Sequence, residues 1–331
     1  VIKVKEAMFY TKDNDKIVCK LCPHNCLLSE EQIGFCRSRK VINNKLYSLN
    51  YGKISAINLD PIEKKPLYHY KPGSYILSVG SFGCNFNCHF CQNYSISQFY
   101  LNGSYVMPSE LIELALKYKS MGNIGIAFTY NEPSIFYEYI YDVVEHINED
   151  LDIVLVTNGF INIEPLEKII KKIKAVNIDL KAFNNKFYKE ICHGNLQKVL
   201  ETIKFMCKFI HVEITTLIIP NLNDSKDEIN DLALWLSKID KNIPLHLTRY
   251  FPAFKLEKEP TPINTLIELK NIAKQHLNYV YIGNTVALDN NTYCPNCKGK
   301  LIERMGFNVK SFLTSNKCPF CGYELKRFLT K

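Results

Sequence analysis

Between residues 75 and 285 short apolar runs alternate with stretches whose apolar positions recur every three or four residues. The runs at 75–79, 124–129, 152–157, 175–180, 210–218 and 244–249, with a possible seventh at 279–282, read as strands. The intervals 108–121, 133–148, 164–174, 196–208, 226–238 and 261–276 read as helices. Six strand–helix units in alternation predict an α/β fold, an incomplete (β/α)6 TIM-like barrel. In such a fold function gathers at the C-terminal ends of the strands. The polar residues fall there. Strand two runs into Thr129-Tyr130-Asn131-Glu132-Pro133, strand three into Thr157-Asn158-Gly159 and strand four into Asp179-Leu180-Lys181. Strand five carries His211-Val212-Glu213 and leads to Ile219-Pro220-Asn221. Singly, Asn-Gly is a turn and Asp with Lys a surface pair. Repeated at the ends of apolar strands, they outline a barrel-mouth site.

The pattern is different on either side of this region. Residues 1–74 form a cysteine-rich N-terminal region, 75–285 the barrel, and 286–331 a C-terminal four-cysteine ribbon. The segment Asp60-Pro61-Ile62-Glu63-Lys64-Lys65-Pro66-Leu67-Tyr68-His69-Tyr70 is too rich in proline and charge for a regular element. It reads as an ordered loop whose acidic, basic and aromatic groups either line a site or tie the N-terminal region to the barrel, and the tie is the preferred reading.

Composition adds constraints on chemistry and location. With 331 residues, 47% of them hydrophobic, the chain can bury a large core, and length alone suggests about two domains. The net charge of +8 comes mostly from lysines dispersed among glutamates, a solvated surface rather than a nucleic-acid stripe. No apolar run has the length of a membrane span. The 13 cysteines fall in groups, which argues for metal rather than disulfides. Neither the size nor the opening residues suit a small secreted domain, so the expected location is the reducing cytoplasm. Cys192 and Cys207 stand alone and read as small buried hydrophobes.

The central group lies in Gly83-Cys84-Asn85-Phe86-Asn87-Cys88-His89-Phe90-Cys91-Gln92-Asn93. The spacing Cys-x3-Cys-x2-Cys brings three thiolates to one face of a [4Fe-4S] cubane and leaves its fourth iron without a protein ligand. An open metal position binds substrate or cofactor, as in catalytic zinc sites. A zinc site completed by His89, and a reduced cysteine cluster without metal, are the alternatives. Cys19, Cys22, Cys26 and Cys36 form a second set at Cys-x2-Cys-x3-Cys-x9-Cys. Four thiolates close a site, so it is structural or carries electrons: zinc, an auxiliary cluster, or four unliganded thiols, with His24 able to replace one cysteine. Cys294, Cys297, Cys318 and Cys321 make two knuckles of a zinc-ribbon or rubredoxin-like site, binding zinc or iron. This module reads as a lid or docking element. Arg304, Lys310 and Lys317 make nucleic acid conceivable, but no aromatic ladder accompanies them.

The Cys84–Cys91 loop resembles the signature of the radical S-adenosylmethionine (SAM) enzymes. The chain as a whole is similar to pyruvate formate-lyase-activating enzymes and, over nearly its full length, to the radical SAM enzymes of the AmmeMemoRadiSam system. That similarity rests on Leu21-Cys22-Pro23-His24, the loop from Asp60 to His69, Gly83 to Asn93, Ile218-Ile219-Pro220-Asn221-Leu222-Asn223-Asp224 and the C-terminal cysteines. It implies catalysis through Cys84, Cys88 and Cys91. The open iron binds SAM, with Phe90 near its adenine, Glu132 on its ammonium, Lys181 in contact with it, and Asn131 and Asn158 also at the cofactor. Tyr130 and Asn131 stand where relatives carry glycines. Phe251 stands where they carry histidine, so no role of that histidine transfers. The implied activity is reductive cleavage of SAM to a 5′-deoxyadenosyl radical that abstracts hydrogen from a substrate. The substrate is either a protein glycine, as for activases, or a small molecule, peptide or lipid. A low-potential ferredoxin or flavodoxin would supply the electron. The contrasting expectation is a non-catalytic metal-binding adaptor, possibly nucleic-acid associated.

Overall fold

The central sheet of the computed structural model, which describes residues 4–99, 103–147, 150–285 and 288–327, has eight strands in chain order. They are β1 (Ala56–Pro61), β2 (Tyr75–Gly80), β3 (Asn123–Phe128), β4 (Asp152–Thr157), β5 (Ile173–Asp179), β6 (His211–Ile218), β7 (Leu245–Arg249) and β8 (Val280–Gly283). β2 to β8 pair in parallel, and β1 pairs antiparallel to β2 at one edge. The sheet is open, since β1 and β8 are its two ends. All six expected strands and the seventh are present. β1 is an addition, and it takes in Asp60 and Pro61, which the sequence placed in an irregular loop. An edge strand tolerates proline, because its missing N–H costs no interior ladder bond.

A main helix follows each of β2 to β7: α1 (Pro108–Lys117), α2 (Tyr137–His146), α3 (Ile163–Ile169), α4 (Leu196–Met206), α5 (Lys226–Asp240) and α6 (Ile263–Ala273). Their starts carry local signals. The Met107 N–H donates to Glu110 ahead of Pro108, and Asn195 and Ser225 accept from Lys198 and Glu228 as N-caps. Residues 133–136, expected as helix, form a 3-10 turn before α2, and Asn148 lies outside the described residues. The helix expected to reach 174 ends earlier, because Ile173 pairs with Ile153 in the sheet. Sheet pairing overrides the local period there. Among the described residues no helix is long and apolar enough to cross a membrane.

The N-terminal region adds two small antiparallel sheets, one from strands 5–6, 39–42 and 45–48 and one from 10–13, 16–19 and 27–28. It is fastened to α2 by the ion pair of Arg39 Nη1 with Glu138 Oε2 at 2.7 Å, both side chains fully buried. The C-terminal module contains β9 (Thr292–Tyr293), β10 (Lys300–Met305) and β11 (Asn308–Ser311). Its apolar face, with Leu301, Ile302 and Cys294, packs on Tyr279 and Tyr281 beside and within β8. Arg304 is buried, not presented to a nucleic acid. Its Nη2 donates to the Tyr68 carbonyl at 2.7 Å, and its guanidinium lies 4.2 Å from the Tyr68 ring centre.

Removing one partner of a fully buried ion pair leaves the other charge uncompensated. Glu138→Ala is therefore expected to cost about 3–5 kcal/mol, read as a lowered urea midpoint. A change within about 0.5 kcal/mol would show that Arg39 finds other compensation.

Candidate active site

The cysteine loop leaves the C-terminal end of β2. Gly83 sits at φ +87° with the Cys36 carbonyl against it, and a Cβ there would lie 2.5 Å from that oxygen. Only glycine fits such a turn and such an approach. Cys84, Cys88, Cys91 and Phe90 then line one cavity of about 680 Å3, which also has Asn131, Glu132, Asn158 and Lys181 on its wall. Every cofactor-contact residue expected from the sequence therefore reaches the same space.

Two asparagines hold the loop. Asn131 Oδ1 accepts from Ser81 N at 2.9 Å and its Nδ2 donates to Gly83 O at 3.0 Å. Asn158 Nδ2 donates to Asn85 Oδ1 at 2.8 Å and lies 3.8 Å from Cys84 Sγ. Behind the loop, Asn87 N and His89 N donate to the carbonyls of Cys192 and Ile191 in a π-turn, Tyr188–Cys192. Cys192 is buried as expected and packs against the Cys88 thiol. His89 is not on the cavity wall, and its ring lies 5.6 Å from that of His193. It does not complete a zinc site with the three thiols.

Glu132 is fully buried and commits both oxygens within the protein. Oε1 accepts from Ser134 N at 2.9 Å and Thr157 Oγ1 at 2.6 Å, and Oε2 accepts from Asn158 N at 2.8 Å. Burial pushes its carboxyl up against the opposing pull of these donors. Lys181 Nζ, two residues past the end of β5, pairs with Asp179 at 2.7 Å and lies 6.0 Å from the Phe90 ring centre. Burial alone would lower Lys181, but Asp179 outweighs it and holds the ammonium charged. Tyr130 takes φ +70°, a backbone conformation that costs a residue with a Cβ. Its hydroxyl donates to Asp60 Oδ2 at 2.8 Å, offsetting the strain.

The loop read as a tie for the N-terminal region is also a cavity wall. Glu63, Lys64, Lys65, Pro66 and Tyr68 all line it. The loop is anchored by Glu213, a fully buried carboxylate that accepts from Tyr68 N, His69 N, His211 Nε2 and His246 Nε2 at 2.7 to 2.9 Å. Burial opposes its ionisation, but the histidine hydrogen bonds hold it well below the usual carboxylate range. His246 and Thr248 of β7 face the cavity. The sequence reading passed over both, although the alternation Leu245-His246-Leu247-Thr248 put them on one face. Phe307 also lines the cavity and carried no local signal. Phe251 is off the cavity wall and packs under Arg249, 4.9 Å from its guanidinium.

The three cysteine sets differ in geometry. Cys294 and Cys321 sulfurs are 3.8 Å apart, Cys297 and Cys318 sulfurs 3.7 Å, and all four lie within 4.8 Å of one another. Metal–sulfur bonds of about 2.3 Å in a tetrahedron put sulfurs about 3.8 Å apart, so this set can hold a single metal ion. Among the described residues no other group of three or more ligand atoms is so compact. The Cys84, Cys88 and Cys91 sulfurs are thus spread more widely than one ion would hold them, which suits a cluster offering each thiolate its own iron. His24, a candidate ligand from the sequence, instead donates through Nε2 to the Asn85 carbonyl at 2.7 Å.

A parallel α/β sheet with a three-thiol loop at its strand ends defines an iron–sulfur enzyme class. The sequence profile of the Radical SAM superfamily matches residues 78–236. The uncharacterized protein MJ0808 of Methanocaldococcus jannaschii is 41% identical over 335 residues, covering 97% of this chain and 99% of that one. The chain belongs to the radical SAM superfamily, whose members use a [4Fe-4S] cluster and SAM. MJ1632 of the same organism, whose name assigns it to activation of glycyl-radical enzymes, is 27% identical over 217 residues, covering 62% of this chain and 79% of that one. Streptococcus suis SuiB, solved with its precursor peptide SuiA, shares the fold at 13% identity and a TM-score of 0.50, over 68% of this chain and 52% of that one.

Glu132→Ala would leave three buried or half-buried donors without an acceptor. It is expected to lower unfolding free energy by about 2–4 kcal/mol in urea titration. Glu132→Gln, which keeps one carbonyl oxygen, should recover part of the loss. Wild-type stability in the alanine variant would mean that its hydrogen bonds hold no structure.

Proposed function

We propose that this chain is an oxygen-sensitive radical SAM oxidoreductase whose [4Fe-4S] cluster is held by Cys84, Cys88 and Cys91. The observation that carries this is the convergence of the three thiols, Phe90, Glu132, Asn158 and Lys181 on one cavity. When bound, the cluster and SAM supply a 5′-deoxyadenosyl radical that takes a hydrogen atom from the substrate. Three thiolates would hold three of the irons and leave the fourth to SAM. Phe90 offers an apolar wall to the adenine, and Lys181, already held charged by Asp179, offers donors to the ribose or carboxylate oxygens. Glu132 retains lone pairs for the SAM ammonium, while its three donors keep its carboxylate fixed. Asn131 and Asn158 orient the loop. The Glu63–Tyr68 segment and Phe307 line the cavity and narrow the solvent's access to it.

The substrate is a protein glycine, which the likeness to MJ1632 favours, or a small molecule, peptide or lipid. A ferredoxin- or flavodoxin-type donor supplies the electron. On this reading the open sheet is an incomplete (β/α)6 barrel spanning 75–285, preceded by a cysteine-rich region and followed by a zinc-ribbon or rubredoxin-like module. The grouped thiols, none of them in a disulfide, favour a cytoplasmic setting.

Anaerobically reconstituted protein with dithionite and SAM should yield 5′-deoxyadenosine, and Cys88→Ala should abolish it. Metal binding without SAM turnover in the wild type would favour the adaptor instead. Lys181→Ala should weaken SAM binding about ten- to a hundredfold in titration, with iron content unchanged, since a charged hydrogen bond contributes about 1.5–3 kcal/mol. Unchanged affinity with a lowered melting temperature would make the Asp179 pair purely structural.

A further inference from the structure

The N-terminal cysteines differ from the C-terminal set in a way that bears on what they bind. Cys19, Cys22, Cys26 and Cys36 all line one small cavity of about 10 Å3. That is room for roughly one water-sized sphere among the sulfurs, whereas thiolates gathered at about 2.3 Å round one ion leave none. No three of these thiols lie within 4.8 Å of one another, although the C-terminal four do. The four thiols line one cavity and are spread more widely than a single ion would hold them.

A second observation is independent of the cysteines. Arg39 lines the same cavity, and its side chain is fully buried. Nη1 pairs with Glu138 and Nη2 reaches the Ile135 carbonyl, but Nε has no hydrogen-bond partner. A buried N–H without an acceptor is costly unless something not of the chain accepts it. The sulfur of a cluster is such an acceptor, and the guanidinium offsets the negative charge that four thiolates bring. Ser38 Oγ, 3.2 Å from Cys36 Sγ, adds another polar contact to the ligand set.

The third observation is position. His24, two residues from Cys22, donates to the carbonyl of Asn85, which lies between Cys84 and Cys88. On the other side of the same loop, Gly83 packs on the Cys36 carbonyl. The two cysteine loops are thus in direct contact at two points.

We propose that Cys19, Cys22, Cys26 and Cys36 ligate a polynuclear iron–sulfur cluster that relays electrons to the site at Cys84, Cys88 and Cys91. All four ligand positions come from protein, so this cluster transfers electrons and binds no substrate. One electron leaves a low-potential ferredoxin, resides on the N-terminal cluster and passes on to the SAM-site cluster, and no covalent bond changes. The relay rests on the radical SAM reading for its acceptor, whereas the identity of the metal group does not.

The test uses full-length protein carrying Cys84→Ala, Cys88→Ala and Cys91→Ala, reconstituted anaerobically with iron and sulfide. This variant should retain iron and acid-labile sulfide in about equal amounts, beyond the single C-terminal metal, as a cluster requires. Dithionite should develop an electron paramagnetic resonance signal, and reduced ferredoxin should develop the same one. Adding Cys19→Ser and Cys22→Ser should remove both sulfide and signal. A second zinc without sulfide would overturn the cluster, and a signal with dithionite but not ferredoxin would overturn the relay. Wild-type protein gives a companion measurement that needs no variant to fold. Its iron should exceed that of one four-iron cluster, about four atoms, by more than the C-terminal ion. Failure of 5′-deoxyadenosine formation in fully loaded wild type would refute the proposed activity while leaving these metal counts intact.

Discussion

Glu213 is the point at which three parts of the chain are joined. Its buried carboxylate accepts from two backbone amides of the 62–70 loop and from histidines on β6 and β7. An ionised carboxylate can be held in such a place only if its oxygens are satisfied. From His69 the connection continues to the Tyr281 hydroxyl on β8, then to Thr292 and Arg304 of the C-terminal module. Arg304 returns to the Tyr68 carbonyl and closes the circuit. The 62–70 loop, the last strands and the cysteine ribbon are therefore joined through one charge that must not be left unpaired.

The cofactor end of the cavity is built on the same rule. Glu132 receives three donors from two chain segments, and Asn131 and Asn158 turn their amides toward the cysteine loop. The residues that border the cavity are thus mostly fixed before any ligand arrives. Such preorganisation is what a site needs when it must orient a cofactor and exclude water from a reactive species. Lys181 differs, because its one anionic partner, Asp179, is itself part of the cavity wall and partly exposed. It is the charged group best placed to exchange an internal partner for a ligand.

The three cysteine sets differ in how spacing arranges one kind of side chain. Two tight knuckles bring the C-terminal sulfurs to single-ion separation, and the apolar residues between them pack on the edge of the sheet. The central loop spreads three thiols along a cavity wall. The N-terminal four enclose a space of their own, against the back of that loop.

Much of the architecture was legible in the chain itself. Apolar runs and helical periods marked every parallel strand and every major helix, and the cysteine spacings marked three sets of ligands, because both signals are written within a few neighbouring residues. β1 was missed because Asp60-Pro61 looks like a loop, and only pairing with Tyr75 and Ile76 makes it a strand. Glu132 suggested a ligand contact from its place after a strand, while the structure shows how far its oxygens are already engaged. The anchoring of the loop at Asp60 to Tyr70 depends on Glu213, 145 residues from Tyr68, and the burial of Arg304 on the Tyr68 carbonyl. Contacts of that kind exist only once the sheet has brought distant segments together, so no local pattern could carry them.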